Sequence, residues 1–282
     1  MKIKALVLLL RPHQWLKNLI LFFPPFLGGK LTTIAASGQV LWQAPLAFCL
    51  ASSAAYIIND LYDVGADRNH PQKCHRSIAA GHVTPTIAVI LAFCCLASAL
   101  AAAFIVGDLF SVLLLIYLGI SLCYSAGLKH LPIIDIFCIA SGFVIRLFAG
   151  GIAFNVVISD WLFLSVFLLA LFLSAGKRLG ETEELGGGGG DQRKVLKEYP
   201  PGALELFMAI SASTVLVTYT MYVVSKHRLV YTVPLCCFGL FRYMLNVKRG
   251  ASGDPTDALL KDPILFVVGF VWVVLVFMTM YV

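Results

Sequence analysis

Asn59, Asp60, Asp63 and Asp67 close an apolar run and open the first long polar segment of a 282-residue chain. Read as helix, they fall near about 0°, 100°, 40° and 80°, so four polar side chains share one stripe. Three carboxylates on one face repel each other unless a cation lies between them. Hard oxygen ligands suit Mg²⁺, which takes one or two carboxylates and completes its shell with water and substrate phosphates. Arg68, Lys73 and Arg76 follow directly, and basic side chains so placed can clamp phosphate oxygens that the metal also touches. The plainer alternative is a solvated helix end outside a membrane, followed by an ordinary basic loop. The closeness of bases to acids favours a metal-diphosphate site.

Three further stretches carry residues that could join such a site. On a helix continued beyond the sixth apolar run, Lys177, Arg178, Glu181 and Glu184 lie near about 0°, 100°, 40° and −20°. They are either helix-surface ion pairs, or cations that meet phosphate beside a Glu181 that shares a metal. Arg193, Lys197 and Tyr199 come next. In the fifth run Asp135 and Arg146 share a face, with Gly142 between them. An arginine within a membrane helix costs at least a few kcal/mol unless paired or facing a cavity, so Arg146 is a functional candidate. Its alternative is a structural ion pair with an acid on a neighbouring helix. Tyr124 and Lys129 end the fourth run and offer a hydroxyl and an ammonium to the same pocket. Asp254, Asp257 and Asp262 form a rival acidic cluster, but Asp254-Pro255-Thr256-Asp257 reads as a helix cap rather than a metal face.

The elements that must position these residues are membrane helices. The chain is 60% hydrophobic and 13% charged, with a mean hydropathy of +0.89, where a soluble domain carries about 25% charge. Its apolar runs are long and uninterrupted, which indicates helices rather than a barrel. Nine spans are predicted, over about residues 15–28, 43–58, 83–106, 109–124, 132–154, 161–175, 203–224, 229–247 and 263–282, as one domain over residues 1–282. Several are shorter than the roughly 20 residues of a perpendicular crossing, so their polar ends should continue as helix. With the N-terminus in the cytoplasm, the N-terminal segment, the loops after spans two, four, six and eight and the span ends next to them hold 17 of the 21 Lys and Arg. That asymmetry sets the orientation. It also accounts for the net charge of +6 without a nucleic-acid partner, and it lets a water-soluble substrate enter from the cytoplasm. No cleavable signal peptide is expected, because residues 1–10 run into Arg11-Pro12 with no small-residue cleavage site. The eight cysteines show no C-x-x-C spacing and read as small buried hydrophobes. The Gly186 to Gly190 run reads as a flexible hinge, since it lacks a G-K-[ST] ending and a preceding strand.

Taken together, these residues resemble the UbiA superfamily of intramembrane prenyltransferases, all-α bundles of nine transmembrane helices. More narrowly they resemble its decaprenyl-phosphate phosphoribosyltransferase branch. The matching pieces are Arg11-Pro12-x-Gln14-Trp15-x-Lys17-Asn18, then Asn59 to Arg68 with His70-Pro71 and Arg76. Tyr124-Ser125-x-x-Leu128-Lys129 follows, then Asp135 with Arg146, and Lys177-Arg178 with Glu181. Two features depart from the pattern. Ser77 stands where the family usually has proline. The second acidic motif of the aromatic prenyltransferases, D-x-x-x-D after span six, is missing, and Lys177-Arg178-x-x-Glu181 occupies its place.

The resemblance implies transfer of a 5-phosphoribosyl group from phosphoribosyl diphosphate (PRPP) to a polyprenyl phosphate of decaprenyl type, releasing diphosphate. The product would feed an arabinose donor for the cell wall. It further implies a multi-pass protein of the bacterial plasma membrane, able to self-associate as a homo-oligomer. In this reading Asp60, Asp63 and Asp67 hold Mg²⁺-diphosphate, helped by Asn59. Lys17, Arg76, Lys129, Lys177 and Arg178 hold phosphate groups, with Arg68 and Lys73 beside them. Tyr124, Asp135, Arg146, Glu181 and Tyr199 line or brace the pocket. The rivals are an isoprenyl-diphosphate prenyltransferase on the same scaffold, disfavoured by the missing second motif, and a transporter. The transporter is disfavoured because no inverted repeat is visible and the acids gather at one membrane face.

Overall fold

The computed structural model describes residues 3–34, 38–70, 73–184, 194–226, 229–251 and 253–282. The Gly186 to Gly190 run, Pro71 and Arg193 lie outside the described residues, as do the side chains of Glu184 and Lys197. Regular structure in the described residues is helical. In chain order the α-helices are α1 (Ile3–Leu10), α2 (Phe23–Leu27), α3 (Leu31–Ile34), α4 (Val40–Tyr62), α5 (Val64–Arg68), α6 (Pro85–Val106), α7 (Asp108–Ala126), α8 (Ile134–Ala153), α9 (Asp160–Glu184), α10 (Lys194–Lys197), α11 (Ala203–Val224), α12 (Val233–Lys248), α13 (Pro255–Lys261) and α14 (Pro263–Tyr281).

Among the described residues eight helices are long and apolar enough to cross a membrane. They coincide with eight of the nine predicted spans. As the short apolar runs foretold, α4 and α9 continue as helix past them, to Tyr62 and Glu184. The first predicted span, 15–28, is not among the eight. Residues Pro12–Phe22 wind as a 3-10 helix that leads into the short α2. Pro24 and Pro25 have no N–H to give to carbonyls four residues earlier, so α-helical bonding cannot run through the junction. Phe23 N instead bonds Ile20 O, the i→i+3 pattern. A 3-10 helix eclipses side chains three apart, and Gln14 and Lys17 therefore stack along one edge of this segment, with Arg11 just before it at the N-cap.

The helices pack in near-sequential order. α4 lies against α6 and α7, α7 against α8, α8 against α9, α9 against α11 and α12, and α12 against α14. The 3-10 segment fits between α4 and α8. One core joins α4, α6 and α7 around Phe48, Phe110 and Leu114; Phe48 and Phe110 meet edge-on at 5.6 Å. A second joins α9, α11 and α12 around Phe172, Met208 and Tyr243. The outward faces carry exposed Phe93, Phe104, Phe266 and Phe270, an exterior that a bilayer solvates and water does not.

A one-residue break in an expected helix falls in the acidic stretch. α4 ends at Tyr62, Asp63 sits at φ −92°, ψ 1°, and α5 starts at Val64. Helical spacing survives the break, because Asp63 N bonds Asn59 O (2.9 Å) and Asp67 N bonds Asp63 O (2.8 Å). The single continuous stripe expected from the sequence is thus bent at Asp63.

Candidate active site

A cavity of about 430 Å³ opens where the ends of α4, α7 and α9 meet the start of α13 and the 3-10 segment. Each helix brings one part of its lining. The α4–α5 junction supplies Asn59, Asp63 and Asp67. Asn59 Nδ2 donates to Asp63 Oδ2 (3.0 Å), and Ser125 Oγ of α7 donates to Asn59 Oδ1 (3.2 Å). Lys129, buried in the turn after α7, forms an ion pair with Asp63. Arg76 lies 2.7 Å from Asp67. Burial is the largest influence on Asp67 and pushes its carboxyl above the usual range; Arg76 pulls it down, and neighbouring Asp60 and Asp63 push it up again.

Asp60 stands behind this wall rather than in it. It is buried between Arg11 (2.5 Å) and Arg76 (3.0 Å). Its angle round the helix is close to that of Asp67, but its carboxylate is taken up by the two arginines and it does not line the cavity. The three aspartates accordingly do not close on one point. Among the described residues no three His, Cys, Asp or Glu side chains converge to hold an ion unaided. The donor chemistry still suits Mg²⁺, which needs only one or two carboxylates when substrate phosphates complete its shell. Of the acidic stretch, Asp63 and Asp67, with the Asn59 carbonyl, line the cavity.

Across the cavity, α9 contributes Ser174, Lys177 and Glu181. Of the two sequence readings of this segment, Arg178 and Glu181 do form the helix pair. Lys177 turns instead to Asp254, 3.5 Å away, and Lys17 reaches the same carboxylate at 3.1 Å. Asp254 does cap α13, accepting from Thr256 N (3.0 Å), as its sequence context indicated. Its place in the cavity wall was not foreseen. It gets there through a close backbone contact: a Cβ on Gly253 would lie 2.6 Å from Gly176 O, and one on Gly180 would lie 2.8 Å from Gly253 Cα. Only glycines let the loop before α13 lie so close to α9. Burial opposes ionisation of Asp254, but Lys177, Lys17 and the Thr256 N–H together hold its carboxyl well below the usual range.

The deep end of the cavity is formed by Arg146 of α8. Its guanidinium donates to Asn18 Oδ1 (2.7 Å), Gly142 O (2.8 Å) and Tyr117 OH (2.9 Å). It also lies over the Tyr117 ring, 4.5 Å from the centroid. All these partners are neutral, so the alternative of an interhelical ion pair does not hold among the described residues. Gly142 leaves room for the guanidinium, since a Cβ there would sit 3.2 Å from Nη1. Among the described residues, Gln14 Oε1 and Ser174 Oγ are buried in the cavity wall without a hydrogen-bond partner.

The remaining predicted residues fall into three groups. Lys17, Lys73 and Tyr124 line the cavity. Arg68 is exposed and does not line it. Asp135, Arg178 and Tyr199 lie behind the wall as a brace. Arg178 and Asp135 are both fully buried and 2.7 Å apart. Arg178 Nη2 donates to Tyr124 OH (3.1 Å), and Tyr199 OH donates to Asp135 Oδ1 (2.7 Å). Asp135 is about 16 Å along α8 from Arg146, so a shared helix face did not mean a shared contact. Arg11, Gln14, Asn18, Tyr117 and Asp254 were not assigned to the site from the sequence, although Arg11, Gln14 and Asn18 stand in the matching N-terminal motif and Asp254 in the rival acidic cluster; Tyr117 carried no signal.

Comparison with known proteins places this architecture. The model of the UbiA prenyltransferase family matches residues 22–177. Decaprenyl-phosphate phosphoribosyltransferase from Mycolicibacterium smegmatis is 32% identical over 291 residues, covering 96% of this chain and 91% of the relative. The protein of that name from Corynebacterium glutamicum is also 32% identical, covering 97% and 86%. Among solved structures, a UbiA homolog from Archaeoglobus fulgidus bound to GPP and Mg²⁺ superposes with a TM-score of 0.71 at 19% identity, covering 97% of this chain and 98% of that one. A digeranylgeranylglyceryl phosphate synthase structure superposes with a TM-score of 0.68 at 14% identity, covering 99% and 98%. By sequence over most of its length, and by fold over nearly all of it, this chain belongs to the UbiA prenyltransferase family.

Proposed function

We propose that the protein transfers a 5-phosphoribosyl group from PRPP to a polyprenyl phosphate. The observation that carries this reading is the pair of unpartnered polar atoms in the wall, Gln14 Oε1 and Ser174 Oγ, each one helical turn from a lysine, Lys17 and Lys177. Ribose hydroxyls would satisfy them, while an isoprenyl chain would leave them buried and unpaired. The likeness to decaprenyl-phosphate phosphoribosyltransferases over 96% of the chain supports the same donor and acceptor.

In the reaction the ribose C1–O bond to diphosphate breaks and the leaving oxygen keeps the electron pair. A C1–O bond forms to an acceptor phosphate oxygen. That oxygen is already anionic, so no proton has to be removed and no general base is needed. Asp63 and Asp67, with Asn59, would hold Mg²⁺, which when bound neutralises charge on the departing diphosphate. Lys129 and Arg76, now paired with those carboxylates, can shift to phosphate oxygens as substrate arrives. Lys17 and Lys177, fixed by Asp254, orient the donor. Arg146 provides an uncancelled positive charge at the deep end.

We place the cavity mouth at the cytoplasmic face of the plasma membrane, on the Lys and Arg distribution. We also count the 3-10 segment with α2 as a ninth crossing. Eleven residues at about 2.0 Å and five at about 1.5 Å rise roughly 30 Å, the thickness of a hydrocarbon core. The test is to incubate purified protein and polyprenyl phosphate with labelled PRPP or a labelled isoprenyl diphosphate, each with Mg²⁺ and with chelator. Label should enter lipid from PRPP in Mg²⁺ alone. Label from the isoprenyl diphosphate and none from PRPP would overturn the reading.

A further inference from the structure

The turn that leads into α8 holds a strained residue. Ile133 has φ 67° and ψ −48°, and Ile134 N donates to Pro132 O (2.7 Å) across it. This is a γ-turn of the rare, positive-φ kind. Arg11 and Asn155 also have positive φ among the described non-glycine residues, but Ile133 alone is β-branched, and for such a side chain the conformation is an outlier. Packing does not enforce it, because Ile133 is 50% exposed.

What holds the turn is Tyr199. Its hydroxyl accepts from Ile133 N (2.7 Å) and donates to Asp135 Oδ1 (2.7 Å), so it clasps both sides of the γ-turn. Its ring stands edge-on to Phe207 of α11, with 6.4 Å between centroids, and Arg178 fixes Asp135 in turn. Strain of this kind persists only where the surroundings over-determine it, and it gathers at functional sites. The short turn Leu128–His130 comes immediately before, and it carries Lys129, buried and ion-paired to Asp63. Leu131 N bonds Leu128 O (3.1 Å) and Asp135 N bonds Leu131 O (3.1 Å), so hydrogen bonds run unbroken from the Lys129 turn to the clasp.

We propose that Tyr199 is a positioning residue for Lys129: by clasping Ile133 and Asp135 it holds the strained turn and so sets the Lys129 ammonium between Asp63 and the substrate phosphate. The inference rests on the proposed function only in giving Lys129 a phosphate to meet. Tyr199 itself does not line the cavity. Without the clasp Ile133 would relax to negative φ, redirect the chain between Lys129 and α8, and draw the ammonium off Asp63.

Tyr199→Phe keeps the ring and removes the clasp. Acetylation of Lys129 by acetic anhydride, read by peptide mass spectrometry, should rise about tenfold in this variant, while that of Lys17 stays unchanged. The kcat for label transfer should fall about tenfold, with KM for polyprenyl phosphate unaltered, since the loss falls on charge developing as diphosphate departs. Glycine takes positive φ without strain, so adding Ile133→Gly to Tyr199→Phe should bring both readouts back to within about threefold of the parent. A brace acting through Asp135 alone would not respond to residue 133. Unchanged Lys129 acetylation in Tyr199→Phe, an equal rise at Lys17, or no recovery on adding Ile133→Gly would overturn the inference. Should Tyr199→Phe fail to fold, hydrogen exchange of the unaltered chain decides. The Ile133 amide should then exchange at least about tenfold more slowly than a free peptide, and exchange at the free rate would overturn the inference. Acetylation requires no turnover, so a rise at Lys129 without label transfer from PRPP by the parent would condemn the proposed reaction and leave the clasp standing.

Discussion

Replacing Arg146 separates a functional cation from a structural one. Its guanidinium makes three hydrogen bonds, all to neutral groups, and its charge is therefore available to the cavity. At an effective dielectric of about 20, a phosphate roughly 5 Å away gains about 3 kcal/mol from that charge, which is about two orders of magnitude in rate or affinity. Arg146→Met keeps comparable bulk and removes the charge. It should lower kcat/KM for phosphoribosyl transfer by roughly 100-fold.

Stability should behave differently. Removing the cation relieves a burial cost of at least a few kcal/mol. It also strands Asn18 Oδ1 and Tyr117 OH at about 1 kcal/mol each. The two effects nearly cancel, so the melting temperature in detergent should move by no more than about 3 °C in either direction. Arg146→Lys keeps the charge but loses the three-way fork, and should fall between, about tenfold down. The assay is incorporation of label from PRPP into extractable lipid, alongside a thermal melt of the same preparation. An Arg146→Met protein within threefold of the parent would refute the electrostatic role. A loss of activity that tracks a large drop in melting temperature would show the arginine to be structural after all.

Asp63→Asn and Asp67→Asn should each reduce turnover by about 100-fold or more and raise the Mg²⁺ concentration for half-maximal rate, because each removes a carboxylate that faces the cavity. Asp60→Asn should act chiefly by releasing Arg11 and Arg76, and should leave the Mg²⁺ requirement where it was; a shift as large as that of Asp63→Asn would refute the division between wall and backing. Gly253→Ala sets a Cβ 2.6 Å from Gly176 O. It should cost about 1–3 kcal/mol of stability and weaken PRPP binding by withdrawing Asp254 from Lys17 and Lys177; unchanged melting and KM would contradict the packing described. Asp254 itself has a depressed carboxyl, so its contribution to stability is fully present above the ordinary value near about 4 and is lost as pH falls below it. The melting difference between the parent and Asp254→Asn should therefore be constant from about pH 8 to 5 and shrink below about pH 4; a gap that widens in acid would reverse the assigned sign.

The sequence by itself determined the helical membrane class, eight candidate spans and one polar stripe, since apolar run length and residue type are local quantities. Long uninterrupted runs leave a helix as the way to satisfy the backbone in lipid, and the spacing of Asn59, Asp63 and Asp67 needs only the helical repeat. Tertiary structure decided which of the polar residues share a chamber. Asp60 and Asp63 look equivalent in one dimension, yet Arg11 draws the first behind the wall and Lys129 meets the second at the cavity. The sequence separates Asp254 from Lys177 by 77 positions, and only the glycine contact between the α13 approach and α9 brings them together. The first span failed as an α-helix because two prolines impose a local hydrogen-bond pattern that hydropathy does not register. Arg146 was legible as costly, but its lack of a counter-charge was not, because that depends on what three other elements present to it. The acidic stripe follows from local helical spacing; which polar residues line one cavity follows from the contacts between helices, and those form only when the bundle closes.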